Sequence, residues 1–318
     1  EGGAADKGRY PMDLELFSRN TILSTEVAQA LQEAQPICAL ETTILSHGLP
    51  RPFNLEVAHR VEQSVRAAGA VPATIGLIDG VIHIGLEEEE LEHVALDTGS
   101  VKASLKDIPA VMINRKTAGC TVAATIAIAR AAGISVFATG GIGGVHRGAE
   151  ETFDISADLP ALAANDIIVV CSGPKSVLDV AKTVEYLETL SVPIIGYKTD
   201  SMPLFYIRRS QFKVDFNASG ADEVAKFAKF RWALAPGGML VTNPVPEDAE
   251  MDVASFDRIT KDAMEEAGRN GVSKAEVTPF LLDYIHKHSE GMSLKANAAL
   301  IESNATVGAK IAVALHKA

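Results

Sequence analysis

Apolar runs alternate with amphipathic segments along most of the chain. Continuous apolar runs predict buried strands at 36–45, 73–78, 80–85, 167–172 and 192–197, with further strands beginning at Ile134 and Met239. Between them, apolar residues recur at helical spacing, as at 54–69, where Ala58, Val61 and Val65 share one face. Further helices are predicted at 87–97, 122–132, 157–165, 175–190, 255–270, 276–288 and 293–316. Apolar strands separated by helices predict one α/β domain whose mixed, largely parallel sheet is covered by helices on both faces.

Two local signals refine this pattern. Asp79-Gly80 is typical of a tight turn and predicts that the strands on either side form a hairpin. The four glutamates at 87–90 stand at the start of a helix, where carboxylates complement the positive helix N-terminus. We therefore interpret them as a solvated first turn and not as a metal site.

Composition narrows the class of protein. The chain has 318 residues, 47% of them apolar, and a formal net charge of −12, which is typical of a globular protein and excludes a disordered one. The acidic balance argues against a nucleic-acid partner, and 5% aromatic residues are too few for a platform on which single strands stack. The widely spaced Cys38, Cys120 and Cys171 predict reduced, buried thiols.

The chain ends and the hydropathy suggest a cytoplasmic location. Residues 1–20 are expected to be a flexible N-terminal lead or an expression remnant, and 21–318 the functional domain. Every long apolar run is interrupted by a charge, Gly or Pro before it reaches the roughly 20 residues that span a bilayer. We therefore expect no membrane-spanning helix.

Polar residues at the end of the first long strand form one candidate site. Glu41-Thr42-Thr43 interrupts an apolar run, and a carboxylate buried there is costly unless it is paired or protonated. Glu41 is therefore a candidate general acid with a raised pKa. A water-facing carboxylate on an edge strand explains the same pattern equally well.

A second candidate site is the glycine-rich block at 139–158. Its glycines could let the backbone approach an anion, although a cluster of this kind is more often a tight turn. Asp154 and Asp158 would share a face if their segment were helical, and carboxylates with waters suit Mg²⁺ or Mn²⁺. The neighbouring residues that strengthen this interpretation are His146, Arg147 and Ser156.

Lys175 stands directly after a buried strand and a Gly-Pro turn, where the next helix is predicted to begin. The positive helix end and partial desolvation would favour the neutral amine that a Schiff-base lysine needs. Spacing alone favours a solvated lysine. The helix start at 119–122 could likewise cradle a phosphate, with Lys102 adding a charge, although each is by itself a routine loop feature.

The segments taken together are specific. The chain closely resembles the pseudouridine-5′-phosphate glycosidase family, also called indigoidine synthase A like, from about residue 22 to the C-terminus. The resemblance is carried, in order, by ALETTILSHGLP, VPATIGLIDG, FATGGIGGVHRGAEETFDISADL, CSGPKS, TVEYLETL, TPFLL and SLKANAAL. The long block around FDISADL makes chance similarity remote.

The resemblance implies a reversible reaction in which pseudouridine 5′-phosphate and water give uracil and ribose 5-phosphate. The broken bond joins two carbons, which explains why no pair of glycosidase carboxylates is evident. In the family, a lysine attacks C1′ of the ribose, the ring opens, an imine forms and the uracil carbon is protonated. The resemblance also implies a homotrimer and a manganese ion, with another divalent ion such as Mg²⁺ as an alternative.

Residue roles follow from the same motifs. Lys175 matches the family nucleophile, and Glu41 matches the proton donor. Asp154 matches the manganese ligand, although Asp158 is an alternative for direct contact with the ion. The matches to substrate-binding positions are Lys102 and Val122, which we assign to the phosphate end, the stretch Ser156, Ala157 and Asp158, and Asn297, expected to read the uracil edge.

Two departures from the family pattern bear on detail. Pro174 stands where a small residue is expected before the lysine. The segment KTAGCTVAA differs from the asparagine-glycine-alanine-threonine motif that is usual in the family, which bears on the detail of the phosphate cradle. Two other functions remain open: a catalytically silent sugar-phosphate-binding protein, and an enzyme that acts on another C-nucleoside phosphate or in the synthetic direction. The presence of both Lys175 and Glu41 argues against the silent protein.

Overall fold

A computed structural model describes residues 13–272 and 277–318. Within these ranges the strands are β1 (Thr21–Leu23), β2 (Ile37–Glu41), β3 (Val71–Ile78), β4 (Val81–Ile84), β5 (Val101–Ala103), β6 (Ala118–Cys120), β7 (Val136–Ala138), β8 (Ile168–Cys171), β9 (Ile194–Tyr197), β10 (Phe216–Ala218) and β11 (Met239–Thr242). The α-helices are α1 (Leu14–Arg19), α2 (Thr25–Gln32), α3 (Phe53–Ala67), α4 (Glu88–Leu96), α5 (Ile108–Ile113), α6 (Val122–Ala131), α7 (Ala149–Thr152), α8 (Asp158–Ala164), α9 (Val180–Thr189), α10 (Ala221–Leu234), α11 (Val253–Arg269), α12 (Val277–His288) and α13 (Met292–Lys317). A π-helix covers Ile44–Gly48.

The strands form one mixed sheet. Its main path runs in the order β1-β4-β3-β2-β7-β8-β11-β9-β10, and the parallel pair β5 and β6 joins at β3. Neighbouring strands from β3 through β10 along this path are parallel, whereas β4 and β6 run antiparallel to β3. The predicted mixed, largely parallel α/β fold is confirmed.

The apolar strands are buried on both faces, as their composition predicts. In β2, Cys38 and Leu40 pack into a core cluster that contains residues of α3, α10, α11, α12 and α13. Their neighbours Ile37 and Ala39 pack into a second cluster with residues of α2, α5, α6 and α8. Because successive strand residues point to opposite faces, a strand between two helical layers needs an apolar side chain at every position.

Helix α13 lies on the face of the sheet that also carries α3, α10, α11 and α12. It packs against α3 and α10 and against strands β2, β7 and β8. Gly308 makes this close approach possible, since a Cβ there would lie 2.9 Å from Cys38 Sγ and 3.0 Å from Ala138 Cβ. Within the described ranges, α13 alone is long and apolar enough to cross a membrane by length and composition, and 61% of its apolar window is buried inside the fold.

Most predicted elements are confirmed, and three boundaries differ. The strand predicted at 36–45 ends at Glu41, because the Thr42 carbonyl accepts from Leu45 N and Ser46 N and the chain turns into the π-helix Ile44–Gly48. The Asp79-Gly80 turn joins β3 and β4 as a hairpin in which both turn residues have positive φ, 50° and 80°. Helix α9 begins at Val180, with the Asp179 side chain accepting from Lys182 N, so the predicted helix start at Lys175 is wrong. The expected lead at 1–20 contains helix α1, capped by Asp13, and residues 1–12 lie outside the described part of the chain.

Candidate active site

Three neighbouring parallel strands end together at one edge of the sheet. Strands β2, β7 and β8 are adjacent, and their carboxyl ends carry Glu41, Thr139 and Ser172 in turn. Ligands of α/β proteins bind at this edge of the sheet. The candidate residues therefore meet here because of strand order, although they are far apart in the chain.

Glu41 is buried in the centre of the sheet, with 7% of its surface exposed. The interpretation as a water-facing carboxylate on an edge strand is therefore wrong. Burial raises the pKa of the carboxyl, while the Lys175 charge and a hydrogen bond donated by the Thr139 hydroxyl lower it in part. A buried carboxyl of this kind can hold a proton and deliver it.

The residue after Glu41 anchors this strand end. Thr42 Oγ1 donates to the Ile75 carbonyl at 2.7 Å and accepts from Cys120 N at 2.9 Å. This fully buried hydroxyl thereby ties the ends of β2 and β6 to β3. The sequence analysis did not assign this role to Thr42. A short polar residue at the end of an apolar run is the sequence feature that could have indicated it.

Lys175 lies in the loop between β8 and α9, beside the glycine-rich block. Gly173 has φ +87°, and a Cβ there would lie 2.2 Å from the Pro203 carbonyl oxygen, so only glycine fits the turn. Lys175 N donates to Ile142 O at 3.0 Å, and Ile142 N donates to Gly173 O at 3.2 Å. These bonds do not require an N–H from Pro174, which explains how proline is accommodated before the lysine.

The site of Lys175 differs from the predicted one. Because α9 begins at Val180, Lys175 does not lie in the first turn of that helix. The Lys175 side chain is half-buried, and its charge acts on both Glu41 and Lys102. The electrostatic environment of the Lys175 amine is therefore set by side-chain packing and by the neighbouring charges.

Lys102 lies on β5 opposite Gly119 of β6. Its side chain retains an exposed surface, but loss of hydration and then the Lys175 charge lower the pKa of the ammonium, while Glu41 and Asp158 raise it. Four ionisable groups, Glu41, Lys102, Asp158 and Lys175, thus form one electrostatically linked cluster.

Asp158 is buried and engaged on both carboxylate oxygens. Oδ1 accepts from Ala123 N at 2.9 Å in the first turn of α6, and Oδ2 accepts from Gly143 N at 2.7 Å. Ser156 Oγ accepts from Asp158 N at 3.2 Å, and Ala157 is exposed beside them at the start of α8. Asp158 thus joins the glycine-rich block to the helix that begins at Val122.

Asp154 does not share a helix face with Asp158, which corrects that prediction. It lies between α7 and α8, next to the bridge that pairs Val145 with Ile155. Its carboxylate is 38% exposed and lies 3.8 Å from His146 Nδ1. Of the two aspartates, Asp154 therefore has the more exposed carboxylate.

The phosphate cradle predicted at 119–122 is only partly present. Gly119 and Cys120 belong to β6, and the Thr121 hydroxyl accepts from Ala124 N as the cap of α6. Val122 is the first residue of α6, so its N–H belongs to the first turn, whose N–H groups have no partner within the helix. Ala123 N and Ala124 N already donate to Asp158 Oδ1 and to the Thr121 hydroxyl, so of the first three N–H groups of α6 the one at Val122 remains for an anion.

Two asparagines on α13 complete the site. Asn297 Oδ1 is buried and has no hydrogen-bond partner in the part of the chain that the structure describes. It lies one turn before Ile301, which lines a cavity beside Glu41. Asn304, a turn further on, was missed by the sequence analysis, although a buried asparagine among Leu300, Ile301 and Ala305 is an unusual pattern for an apolar helix face.

These features define an α/β protein with a buried acid and two lysines where parallel strands end, and comparison with known proteins supplies the family. The family model "Indigoidine synthase A like protein" matches residues 26–314, and the chain belongs to this family. A pseudouridine-5′-phosphate glycosidase from Caldanaerobacter subterraneus subsp. tengcongensis is 52% identical over 93% of this chain and 96% of the relative. Its counterpart from Petrotoga mobilis is 48% identical over 91% and 95% of the two chains.

Two solved structures share the fold. The prealnumycin C-glycosynthase AlnA, in complex with ribulose 5-phosphate, is 37% identical and superposes with a TM-score of 0.87 over 93% of this chain and 97% of the other. An indigoidine synthase A (IdgA)-like protein from Thermotoga maritima gives a TM-score of 0.84 at 37% identity, over 93% and 96% of the two chains. The predicted family, and with it the assignment to a family of enzymes, is confirmed.

Proposed function

We propose that this protein cleaves the C–C glycosidic bond of pseudouridine 5′-phosphate, releasing uracil and ribose 5-phosphate. The observation that carries the proposal is the burial of Glu41, which raises its pKa, in one electrostatically linked cluster with Lys175 and Lys102. The relatives that are pseudouridine-5′-phosphate glycosidases, at about half identity over nearly the whole chain, support the choice of substrate.

The two catalytic residues take complementary roles. The Lys175 amine attacks C1′ of the ribose, the C1′–O4′ bond breaks, and the ring oxygen takes the proton that the nitrogen loses. The nitrogen lone pair then forms an iminium at C1′ while the bond to uracil C5 breaks, and Glu41 gives its proton to C5. Water hydrolyses the iminium, which frees ribose 5-phosphate and the lysine.

The remaining residues bind the two ends of the substrate. Lys102 supplies positive charge and Val122, at the N-terminus of α6, supplies an N–H donor for the phosphate, next to Ser156, Ala157 and Asp158. Asn297 Oδ1 is buried and has no partner among residues 13–272 and 277–318, which suits an N–H of the uracil edge.

The donor set suits a divalent ion of the Mg²⁺ or Mn²⁺ type. Asp154 offers an exposed carboxylate, and within residues 13–272 and 277–318 no group of three or more His, Cys, Asp or Glu side chains could enclose a metal. An ion held by one carboxylate, waters and substrate oxygens fits this arrangement. Such an ion would neutralise substrate charge and orient substrate oxygens when bound.

The decisive experiment traps the proposed imine. Borohydride added during turnover should reduce it and leave a phosphoribosyl adduct on Lys175, found by mass spectrometry of peptides. Lys175→Ala should lose the adduct and turnover, whereas Lys182→Ala, an exposed lysine paired with Glu150, should keep both. Uracil release by the wild type with no adduct on Lys175 would refute the imine route.

A second candidate is synthesis of a C-glycosidic bond. It is favoured by the likeness to the C-glycosynthase AlnA, which was crystallised with ribulose 5-phosphate. Uracil absorbance followed in both directions, with and without Mn²⁺, distinguishes cleavage from synthesis. No change with pseudouridine 5′-phosphate, uracil or ribose 5-phosphate would instead point to another C-nucleoside phosphate.

We further propose a cytoplasmic homotrimer, as the family resemblance implies. Analytical ultracentrifugation of the full chain tests the assembly, since a trimer of 33.6 kDa protomers sediments well apart from a monomer or a dimer. Imaging of a tagged chain in cells tests the location.

A further inference from the structure

We propose that Asn304 is a positioning residue for the catalytic pair, holding the strand ends that carry Thr139 and the Lys175 loop in one geometry. This inference rests on the proposed function and adds a residue to it. Asn304 is fully buried on α13, the helix that crosses the centre of the sheet.

The amide group of Asn304 bonds to three strand ends at once. Its Nδ2 donates to the Thr139 carbonyl at 2.8 Å and to Ser172 Oγ at 3.1 Å, and its Oδ1 accepts from Asn243 Nδ2 at 3.0 Å. These partners follow β7, β8 and β11 respectively. One side chain therefore satisfies polar groups that three adjacent strands leave unpaired at their carboxyl ends.

The partners of Asn304 are also hydrogen-bonded to one another and to their neighbours. Ser172 Oγ donates to the Asn243 carbonyl at 2.9 Å, Asn243 N donates to Cys171 O at 2.8 Å, and Asn243 Nδ2 also reaches Ser303 Oγ at 2.9 Å. A buried network whose members are all partnered holds a single arrangement, because any shift leaves a polar group unsatisfied.

Each arm of the network leads to a catalytic residue. Thr139, whose carbonyl Asn304 holds, donates its hydroxyl to the carboxylate of Glu41. Ser172 begins the turn Ser172-Gly173-Pro174 that leads directly to Lys175. Asn304 touches neither Glu41 nor Lys175 by any of these bonds, so its effect on the reaction passes through Thr139 and Ser172.

The test compares Asn304→Leu, which keeps the approximate shape of the side chain and removes its hydrogen bonds, with the wild type. A misplaced acid and nucleophile slow the chemical step more than substrate binding, so we expect kcat to fall about tenfold or more at nearly constant KM. The alkaline limb of the pH–rate profile should also move to higher pH, since a loosened Thr139 no longer stabilises ionised Glu41; Lys175, Lys102 and Asp158, the other charged groups near that carboxyl, are unchanged.

A double-mutant cycle and stability controls separate positioning from general destabilisation. Asn304→Leu combined with Thr139→Val should lose less activity than the two single losses predict, because both act through one hydroxyl. Ile285→Val and Leu281→Ala, buried on α12, lose stability with no link to the network and should keep kcat. Should Asn304→Leu fail to fold, Ser172→Ala removes the arm that leads to Lys175; it should lower kcat by a smaller factor at nearly constant KM and leave the alkaline limb in place.

The outcomes distinguish the two proposals. Variants that fold and keep the wild-type kcat and pH profile overturn the role of Asn304 and leave the proposed function intact, as does a loss of activity no larger than that of the stability controls. A wild type that releases no uracil overturns the proposed function, and this role with it.

Discussion

The hydrogen bond from Thr139 to Glu41 should set the pH range of the reaction, and Thr139→Val tests this. The substitution removes a buried hydroxyl and nearly preserves the shape of the side chain. The Thr139 backbone, which donates to Val170 O at 2.9 Å and accepts from Asn304 Nδ2 at 2.8 Å, keeps its bonds. Only the donor to the carboxylate is lost.

The size of the effect follows from the charge on the acceptor. A hydrogen bond to a charged group contributes about 1.5–3 kcal/mol, and one pKa unit corresponds to about 1.4 kcal/mol. The bond stabilises ionised Glu41, so the loss of this free energy should raise further a pKa that burial already raises. Because Glu41 must be protonated to act as an acid, the alkaline limb of kcat/KM should move to higher pH.

The assay follows uracil absorbance across the pH range for the wild type, Thr139→Val and a matched control. Thr242→Val is that control, since Thr242 is also fully buried at a strand end but donates to Ile195 O at 3.2 Å and not to a carboxylate. An alkaline limb that stays in place in Thr139→Val, or that moves equally in Thr242→Val, would refute the reasoning.

Three further predictions concern stability. Gly173→Ala places a Cβ 2.2 Å from a carbonyl oxygen at positive φ and should cost about 2 kcal/mol or more in urea unfolding, whereas Gly133→Ala, also at positive φ but in open space, should cost less. Asp158→Asn exchanges one of two carboxylate acceptors for a donor and should cost about 1–3 kcal/mol; an unfolding midpoint equal to that of the wild type would contradict it. Burial raises the pKa of Glu41 above its unfolded value, so its contribution to stability is complete below about pH 4.3 and is lost as pH rises toward the folded pKa. Glu41→Gln lacks this dependence of stability on pH. The unfolding free energy of the variant minus that of the wild type should therefore rise as pH increases from about 4.3 toward the folded pKa. A difference that stays constant would count against a buried, titrating carboxyl.

The local sequence pattern was sufficient to predict most helices and strands, but it was not sufficient to predict where some of them begin and end. The hairpin at Asp79-Gly80 and the buried strands follow from turn chemistry and continuous apolar runs, which act over a few residues. The start of α9 did not follow, because the stretch after Lys175 is held as a loop by the Ile142 and Val145 carbonyls of a distant segment. Helix propensity was overridden there by tertiary hydrogen bonds.

The aspartates show the same limit at the site. Spacing alone left Asp154 and Asp158 as equal candidates for a metal ligand. The fold separates them, because α6 and the glycine-rich block bring two N–H groups to Asp158 while Asp154 keeps an exposed carboxylate.

The sequence by itself determined the α/β class, the family, and which glutamate and lysine are the candidates for acid and nucleophile, since these depend on residue types, period and motif. Tertiary structure alone decided that Glu41 is buried, which raises its pKa, and that Asn304 joins the strand ends. The Glu41–Thr139 and Asn304–Ser172 bonds join residues 98 and 132 positions apart. The order in which parallel strands and α13 pack, and no local preference, brings such partners together.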